Sequence, residues 1–325
     1  MKTMVNTMNS MVITGYGGTE VFKSYEMPKP APKGKEVLVK VFATSVNPVD
    51  CKIRKGAINT GINPPQVLGF DVSGVVEKIG EKVTDFKCGD EVYYLPRIIG
   101  WQGAYAEYHL VEESIIAKKP SNLTYSEAAS IPLAGSTAWD ALIERIKIRL
   151  GENILIHAGA GGVGSLAIQL ARLSGAYVFT TASSKNHDLV KKLGADRVID
   201  YKKEDFVKVI LNETGNEGIN AVFDTVGGDI FTKSLEIVKP FGRIASIVRV
   251  PAQIETAFFK NIDIHPVFVQ SSRYKLDVIR DLIERKQLKP VIDSIMPLSN
   301  VIKAHEKIEA GGVRDKIVLE VIIMS

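Results

Sequence analysis

An apolar run that ends in closely spaced glycines leaves a chain few ways to fold. Residues 154–164 are such a run: Ile154-Leu155-Ile156-His157-Ala158-Gly159-Ala160-Gly161-Gly162-Val163-Gly164. Gly159, Gly161 and Gly164 match G-x-G-x-x-G. A bare match says little in a chain with 27 glycines. Here an apolar strand runs into the loop and a helical segment, Ser165–Leu173, runs out of it, which is the context that gives the pattern meaning. Gly159 permits the tight turn, Gly161 lets the backbone approach a pyrophosphate, and Gly164 lets helix and strand pack closely. With Ala160, Gly162 and Val163 the loop presents backbone N–H groups and a positive dipole end to phosphates. These residues read as a dinucleotide-binding loop.

The flanking sequence agrees. Strands are expected at 153–157, 176–181, 197–199, 221–225 and 242–248. Helices are expected between them at 164–174, 185–193, 205–211 and 231–238. This alternation predicts a doubly wound parallel sheet of the Rossmann type. Residues 11–120 read differently, as short strands at 11–14, 36–43, 67–79, 91–95 and 104–111 separated by Gly and Pro turns. That rhythm predicts an antiparallel, barrel-like domain. Helical segments at 126–130 and 136–147 bridge the two. After 272 come helices at 274–285 and 298–311 and strands at 293–296 and 316–323, with no β/α repeat. The expected division is residues 1–127 plus 271–325 as a substrate domain, with 128–270 inserted as the dinucleotide-binding domain.

Composition removes other classes. Forty-one Lys and Arg against 37 Asp and Glu give a net charge of +4 over 325 residues, too weak to point to nucleic acid or an anionic membrane. No apolar stretch approaches the roughly 18–20 residues of a membrane span. Residues 1–8 lack a signal-peptide core and read as a loose leader. Two cysteines, Cys51 and Cys88, make neither a disulfide framework nor a four-thiolate zinc site. A cytoplasmic protein is expected.

An NAD site usually carries Asp or Glu about 20 residues after the loop, on the ribose 2′-hydroxyl. Here that stretch is Phe179-Thr180-Thr181-Ala182-Ser183-Ser184-Lys185-Asn186, with no acid before Asp188. Two hydroxyls and an ammonium, Ser183, Ser184 and Lys185, suit a 2′-phosphate, so NADP(H) is the expected cofactor. The serines also fit a helix N-cap.

Asn47-Pro48-Val49-Asp50, Gly69-Phe70-Asp71 with Gly74-Val75, Gly89-Asp90-Glu91-Val92 and the 158–164 loop together resemble the medium-chain dehydrogenase/reductase superfamily over about residues 11–323. The resemblance implies a GroES-like substrate domain around a Rossmann domain. Its zinc alcohol dehydrogenases place Cys where this chain has Asn47 and Gly-His-Glu where it has Gly69-Phe70-Asp71. An amide and a phenyl ring replace thiolate and imidazole, so no metal is expected. Without zinc, Asn47-Pro48-Val49-Asp50-x-Lys52-x-Arg54-x-Gly56 is similar to the quinone oxidoreductase and alkenal/enone reductase branch.

That branch implies NADPH-dependent hydride transfer to a quinone or an α,β-unsaturated carbonyl. Asn47 and Lys52 are the expected donors to the developing oxyanion. Asp50 is expected to orient Lys52 or bind a ribose hydroxyl, and Phe70 to line the substrate pocket. Plainer roles stand beside these: turn residue for Asn47, surface charge for Lys52, helix cap for Asp50, core for Phe70. The resemblance also implies cofactor contacts from Thr137, Tyr201, Val226, Ser246 and Val248, a surface position being the alternative for Tyr201. Residues 262–269 resemble an edge strand that pairs with its copy in a homodimer. Competing functions are an enoyl-thioester reductase and a dinucleotide-binding protein with little catalysis.

Overall fold

Asn153–Ile156 buries three of its four side chains, and in the computed structural model it is an interior strand of a six-stranded sheet. The structure describes residues 6–252 and 254–322. Contacts divide the chain into two compact units. The first runs to Leu133 and takes back Gln270–Arg285 and the chain from Pro290 on; the second is Ala134–Val269 with Lys286–Lys289.

The sheet of the second unit has the order Arg197–Asp200, Tyr177–Ala182, Asn153–Ile156, Ile219–Asp224, Val238–Ser246, Asp263–Pro266, and every neighbouring pair is parallel. The third strand in chain order lies outermost on one side, so the order reverses beside Asn153–Ile156, as in a Rossmann sheet. Leu155, Phe179, Val222 and Ile244 from four strands pack with Phe206, Phe231 and Leu235 from the helices into one core. His157 belongs to the same interior. It bonds Ser234 at 2.9 Å and sits edge-on to Phe206, and burial pushes its imidazole down to about 4.

Three elements here differ from expectation, one of them the helix Glu255–Lys260, which no sequence pattern had marked. The last expected strand starts four residues early, at Val238, because its pairing with Ile219 begins there. The expected 136–147 helix is an α-helix, Pro132–Trp139, that continues as a wider π-helical segment, Asp140–Ile146, ending at Lys147 with φ +52°.

The first unit holds two sheets. Thr7–Ile13 pairs with Phe22–Pro28 and Gln66–Val67. The larger sheet is built on Glu36–Val46, which pairs antiparallel with Val72–Ile79, Tyr108–Glu112 and Lys316–Glu320. The expected antiparallel character has one exception, since Ile292–Pro297 runs parallel to Lys316–Glu320. The first strand begins at Thr7 rather than Met11; residues 1–5 of the expected leader lie outside the described residues, as does Ile323 of the expected last strand. The 67–79 stretch is two strands, broken at Gly69. There φ is +96°, and a Cβ would lie 2.3 Å from the Tyr105 ring.

The glycines of the 159–164 loop divide by what surrounds them. A Cβ on Gly159 would meet Thr180 Oγ1 at 2.1 Å, and one on Gly164 the Ala158 carbonyl oxygen at 2.3 Å. One on Gly161 would meet only the Ala158 oxygen, at 3.3 Å. Gly159→Ala is therefore expected to destabilise the chain by about 1–3 kcal/mol through overpacking, and Gly161→Ala by clearly less. Thermal unfolding of both variants checks this; equal midpoints would contradict it.

Candidate functional sites

The second unit carries the loop. Ala158 adopts φ +50°, and its N–H bonds Thr181 Oγ1 at 3.0 Å while Gly159 N–H bonds the Thr181 carbonyl at 3.0 Å. These two bonds anchor the turn to the neighbouring strand. The helix Gly162–Leu173 then starts from Gly161, which brings no capping side chain. Gly162 and Val163 are only half-buried, so first-turn N–H groups remain for an anion. The open space beside Gly161 is what a pyrophosphate needs, and the loop fits a dinucleotide.

At the end of Tyr177–Ala182, Ser183 is half-buried while Ser184 and Lys185 are exposed. Ser184 Oγ donates to Asp200 Oδ2. Asp200 ends the adjacent strand and pairs with Ala182 in register. It is 4% exposed; its Oδ1 accepts from Lys202 N–H at 3.1 Å and its Oδ2 lies 3.9 Å from Lys203 Nζ. The Ser184 bond, first, and the Lys202 N–H hold its carboxyl below the usual range. Tyr201 beside it is 59% exposed. Sequence reading missed Asp200 because it looked for an acid on one strand; the parallel register delivers one from the next.

The far end of the sheet is organised by Asp224, fully buried. Its Oδ1 accepts from Val226 N–H at 3.0 Å and Gly227 N–H at 2.9 Å, and its Oδ2 from Ser246 Oγ at 2.8 Å. Ser246 Oγ in turn accepts from Val248 N–H at 3.3 Å. The structure thus brings Val226, Ser246 and Val248 together and leaves Val226 half exposed. Thr137 is buried on the Pro132–Trp139 helix.

The other expected residues lie in the first unit, around Asp71. Asp71 is fully buried and its Oδ2 accepts from Ser45 Oγ at 2.5 Å, Asn47 Nδ2 at 2.8 Å and Lys316 Nζ at 3.1 Å. Its Oδ1 accepts from Leu133 N–H at 2.7 Å. Lys316 Nζ also donates to Asn47 Oδ1 at 2.5 Å. The Asn47 amide is therefore held on both sides, 2% exposed. Asp50 does not orient Lys52. Its oxygens accept from Asn47 N–H at 2.8 Å and Gly69 N–H at 2.9 Å, which pins the start of the Pro48–Arg54 helix to the Gly69 turn. Lys52, two residues on, points elsewhere on the helix and is exposed. Phe70 has no exposed surface, which places it in the core. Neither Lys316 nor Asp71 was picked out from sequence as a site residue.

The remaining polar groups of this helix are structural. Cys51 Sγ lies 3.3 Å from His305 Nδ1, and His305 Nε2 lies 3.2 Å from Tyr105 Oη. Burial pushes the thiol up to about 12 and the imidazole down to about 3, so the pair is uncharged. Arg54, fully buried, pairs with Glu309 at 2.5 Å. Among the described residues no group of three or more His, Cys, Asp or Glu side chains is placed to hold a metal ion, and no helix is long and apolar enough to cross a membrane.

Comparison with known proteins accords with both units. The family described as alcohol dehydrogenase GroES-like domain matches residues 33–121, and the family described as zinc-binding dehydrogenase matches residues 193–319. A zinc-type alcohol dehydrogenase-like protein of Staphylococcus aureus is 35% identical over 93% of this chain and 95% of its own. The chloroplastic NADPH-dependent alkenal/one oxidoreductase of Arabidopsis thaliana is 36% identical over 96% of this chain and 79% of its own. The solved quinone oxidoreductase of Coxiella burnetii is 36% identical, with a TM-score of 0.90 over 98% of this chain and all of its own.

Burial pushes the Asp50 carboxyl up to about 7 from its ordinary 3.8, against the two N–H bonds that favour its charge. Between those values the folded chain holds a proton that the unfolded chain has released. The group's contribution to stability therefore falls as pH rises from about 4 to about 7 and is flat above. Denaturant unfolding of wild type and Asp50→Asn across that range should show their stability difference shrinking with rising pH. A difference that grows with pH would sink the assignment.

Proposed function

The chain belongs to the medium-chain dehydrogenase/reductase superfamily, in its quinone and alkenal reductase branch, and we propose that it uses NADPH to reduce a quinone or an α,β-unsaturated carbonyl without zinc. The observation that carries this reading is the Asn47–Asp71–Lys316 cluster. At the two positions where zinc members of the family present thiolate and imidazole, this chain has an amide whose oxygen is already bonded to an ammonium and a phenyl ring in the core. That donor set suits a hydrogen-bonding site rather than a metal.

Bound nicotinamide would supply the hydride, and the chain must stabilise the negative charge that grows on the acceptor's oxygen. Asn47 is the donor for that oxygen. Its Nδ2 has a second N–H beyond the one given to Asp71, and Lys316 on its carbonyl polarises the amide toward donation. Asp71 and Lys316 are positioning residues, since together they fix which way the amide faces. In the second unit the 159–164 loop would hold the pyrophosphate. Ser183, Lys185 and the neighbouring Lys202 and Lys203 would favour a 2′-phosphate, with Tyr201 exposed beside them. Val226, Ser246 and Val248, gathered by Asp224, and Thr137 would serve the nicotinamide end. Two free cysteines fit a cytoplasmic setting.

A screen of NADPH oxidation against quinones, alkenals, enones and enoyl thioesters tests the activity. Turnover is expected with a quinone or enone and should survive a metal chelator. Asn47→Ala should lower kcat/KM by about 10²–10³-fold, whereas Lys52→Ala should leave it within about twofold. No oxidation with any acceptor, or an unaffected Asn47→Ala, would refute the reading.

A homodimer is part of the same proposal. Asp263–Pro266 is the edge strand of the parallel sheet, and Phe258, Phe259 and Phe268 near it in the chain are 78%, 78% and 50% exposed. An edge strand with exposed aromatics near it in the chain is a surface that proteins cover. Light scattering at high concentration should give twice the chain mass; a monomer there would exclude it.

A further inference from the structure

We propose that Asp200 sets the balance between NADPH and NADH by fixing the polarity of the Ser184 hydroxyl. The inference rests on reading the Ser183–Lys185 turn as the site of the 2′-group, and it deepens that reading.

A serine hydroxyl has one hydrogen to give. Ser184 gives it to Asp200 Oδ2. Toward any ligand it then presents only lone pairs. A ribose 2′-hydroxyl can donate into them. A 2′-phosphate, largely dianionic at neutral pH and rich in acceptor oxygens, cannot, and it also meets the Asp200 charge behind the hydroxyl. The arrangement is held from several sides. Asp200 is 4% exposed, is paired in register with Ala182, and has its other oxygen on the Lys202 N–H. Its carboxyl, held below the ordinary range, stays charged at neutral pH.

The neighbouring groups pull the other way. No hydrogen bond is seen from the Ser183 hydroxyl among the described residues, which leaves its hydrogen for a phosphate oxygen. Lys185 is exposed at this turn, and Lys202 and Lys203 are exposed just past the end of the adjacent strand, with Lys203 Nζ 3.9 Å from Asp200 Oδ2. Three ammonium groups and one hydroxyl favour the phosphate, while Ser184 backed by Asp200 favours the diol. The turn is thus built to accept both cofactors, with Asp200 as the positioning residue that keeps NADPH from excluding NADH.

Asp200→Asn keeps the shape and removes the charge. Its amide can donate to Ser184 Oγ, freeing the serine hydrogen for phosphate. Measured by fluorescence titration, Kd for NADPH should fall about tenfold, the worth of one hydrogen bond to a charged group, while Kd for NADH rises. A gain in NADPH affinity cannot come from structural damage. In a Ser184→Ala background no hydroxyl remains to be turned and only the loss of charge acts, so the same substitution should move the ratio of the two constants by clearly less than it does with Ser184 present. An unchanged ratio in Asp200→Asn, or a full shift retained without Ser184, would overturn the proposal. If wild type binds NADH more tightly than NADPH, the NADPH reading fails by itself, and the role of Asp200 is still judged on the shift in ratio.

Discussion

The buried Asp71 carboxylate is the interaction on which the first unit depends. Its two oxygens collect four donors from three separate stretches of chain: Ser45 and Asn47 where a long strand passes into a helix, the Leu133 N–H in the first turn of another helix, and Lys316 on the last strand. A charge taken out of water is costly unless it is paired and fully hydrogen-bonded, and removing one partner of such a pair typically costs about 3–5 kcal/mol. Burying Asp71 without Lys316, 245 residues later in the chain, would leave a charge uncompensated. This gives an electrostatic reason for the discontinuity of the unit. Its front half encloses a carboxylate whose counter-charge is carried by the returning tail. Pairing of Lys316–Glu320 with Glu36–Val46 is the backbone side of the same event.

The second unit uses carboxylates in a related way. Asp224 gathers two consecutive N–H groups and the Ser246 hydroxyl, so that two strand ends are fixed relative to each other. Asp200 does this for Ser184 and Lys202. In each case the acid ends a parallel strand on the side where such sheets bind ligands, and it uses up donors of the turn. What those turns then offer a cofactor is decided by the hydrogens left over. Val226 remains half exposed above Asp224, and Ser184 retains only its lone pairs.

The parts legible in the sequence were those written in short-range pattern. The β/α alternation gave the order of strands and helices from 153 to 246, and the glycine spacing gave the loop together with the different duties of Gly159, Gly161 and Gly164. Boundaries moved where tertiary pairing overrode composition, as at Gly69, where the Tyr105 ring and a left-handed backbone break a β-rich stretch. The expected link between Asp50 and Lys52 is not seen, for a simple reason. Nearness in sequence is not nearness in space on a helix, and positions two apart face different ways. The cation that does meet Asn47 is Lys316, and only strand register, Ile317 opposite Val46, brings it there. Asp200 was missed for the same reason, its register with Ala182 being a fact of the sheet and not of either segment.

On the proposed reading, the site chemistry follows from how the Asn47 amide is held. A free asparagine side chain can present its oxygen or its nitrogen by a half-turn of χ2. Here Lys316 accepts no hydrogen bond and ionised Asp71 donates none, so only one orientation satisfies both. Exchanging the amide's ends would set N–H against ammonium and oxygen against carboxylate in a water-poor interior, where unpaired polar groups cost most. The two bonds fix which way the amide faces, and the ammonium on its carbonyl polarises it toward donation. An ammonium that polarises an amide is a smaller electrophile than a divalent ion, yet it needs no open coordination position. On the proposed reading such a device suits acceptors that already delocalise charge, as quinones and conjugated carbonyls do, better than simple aldehydes or ketones, whose oxygen must bear nearly all of it.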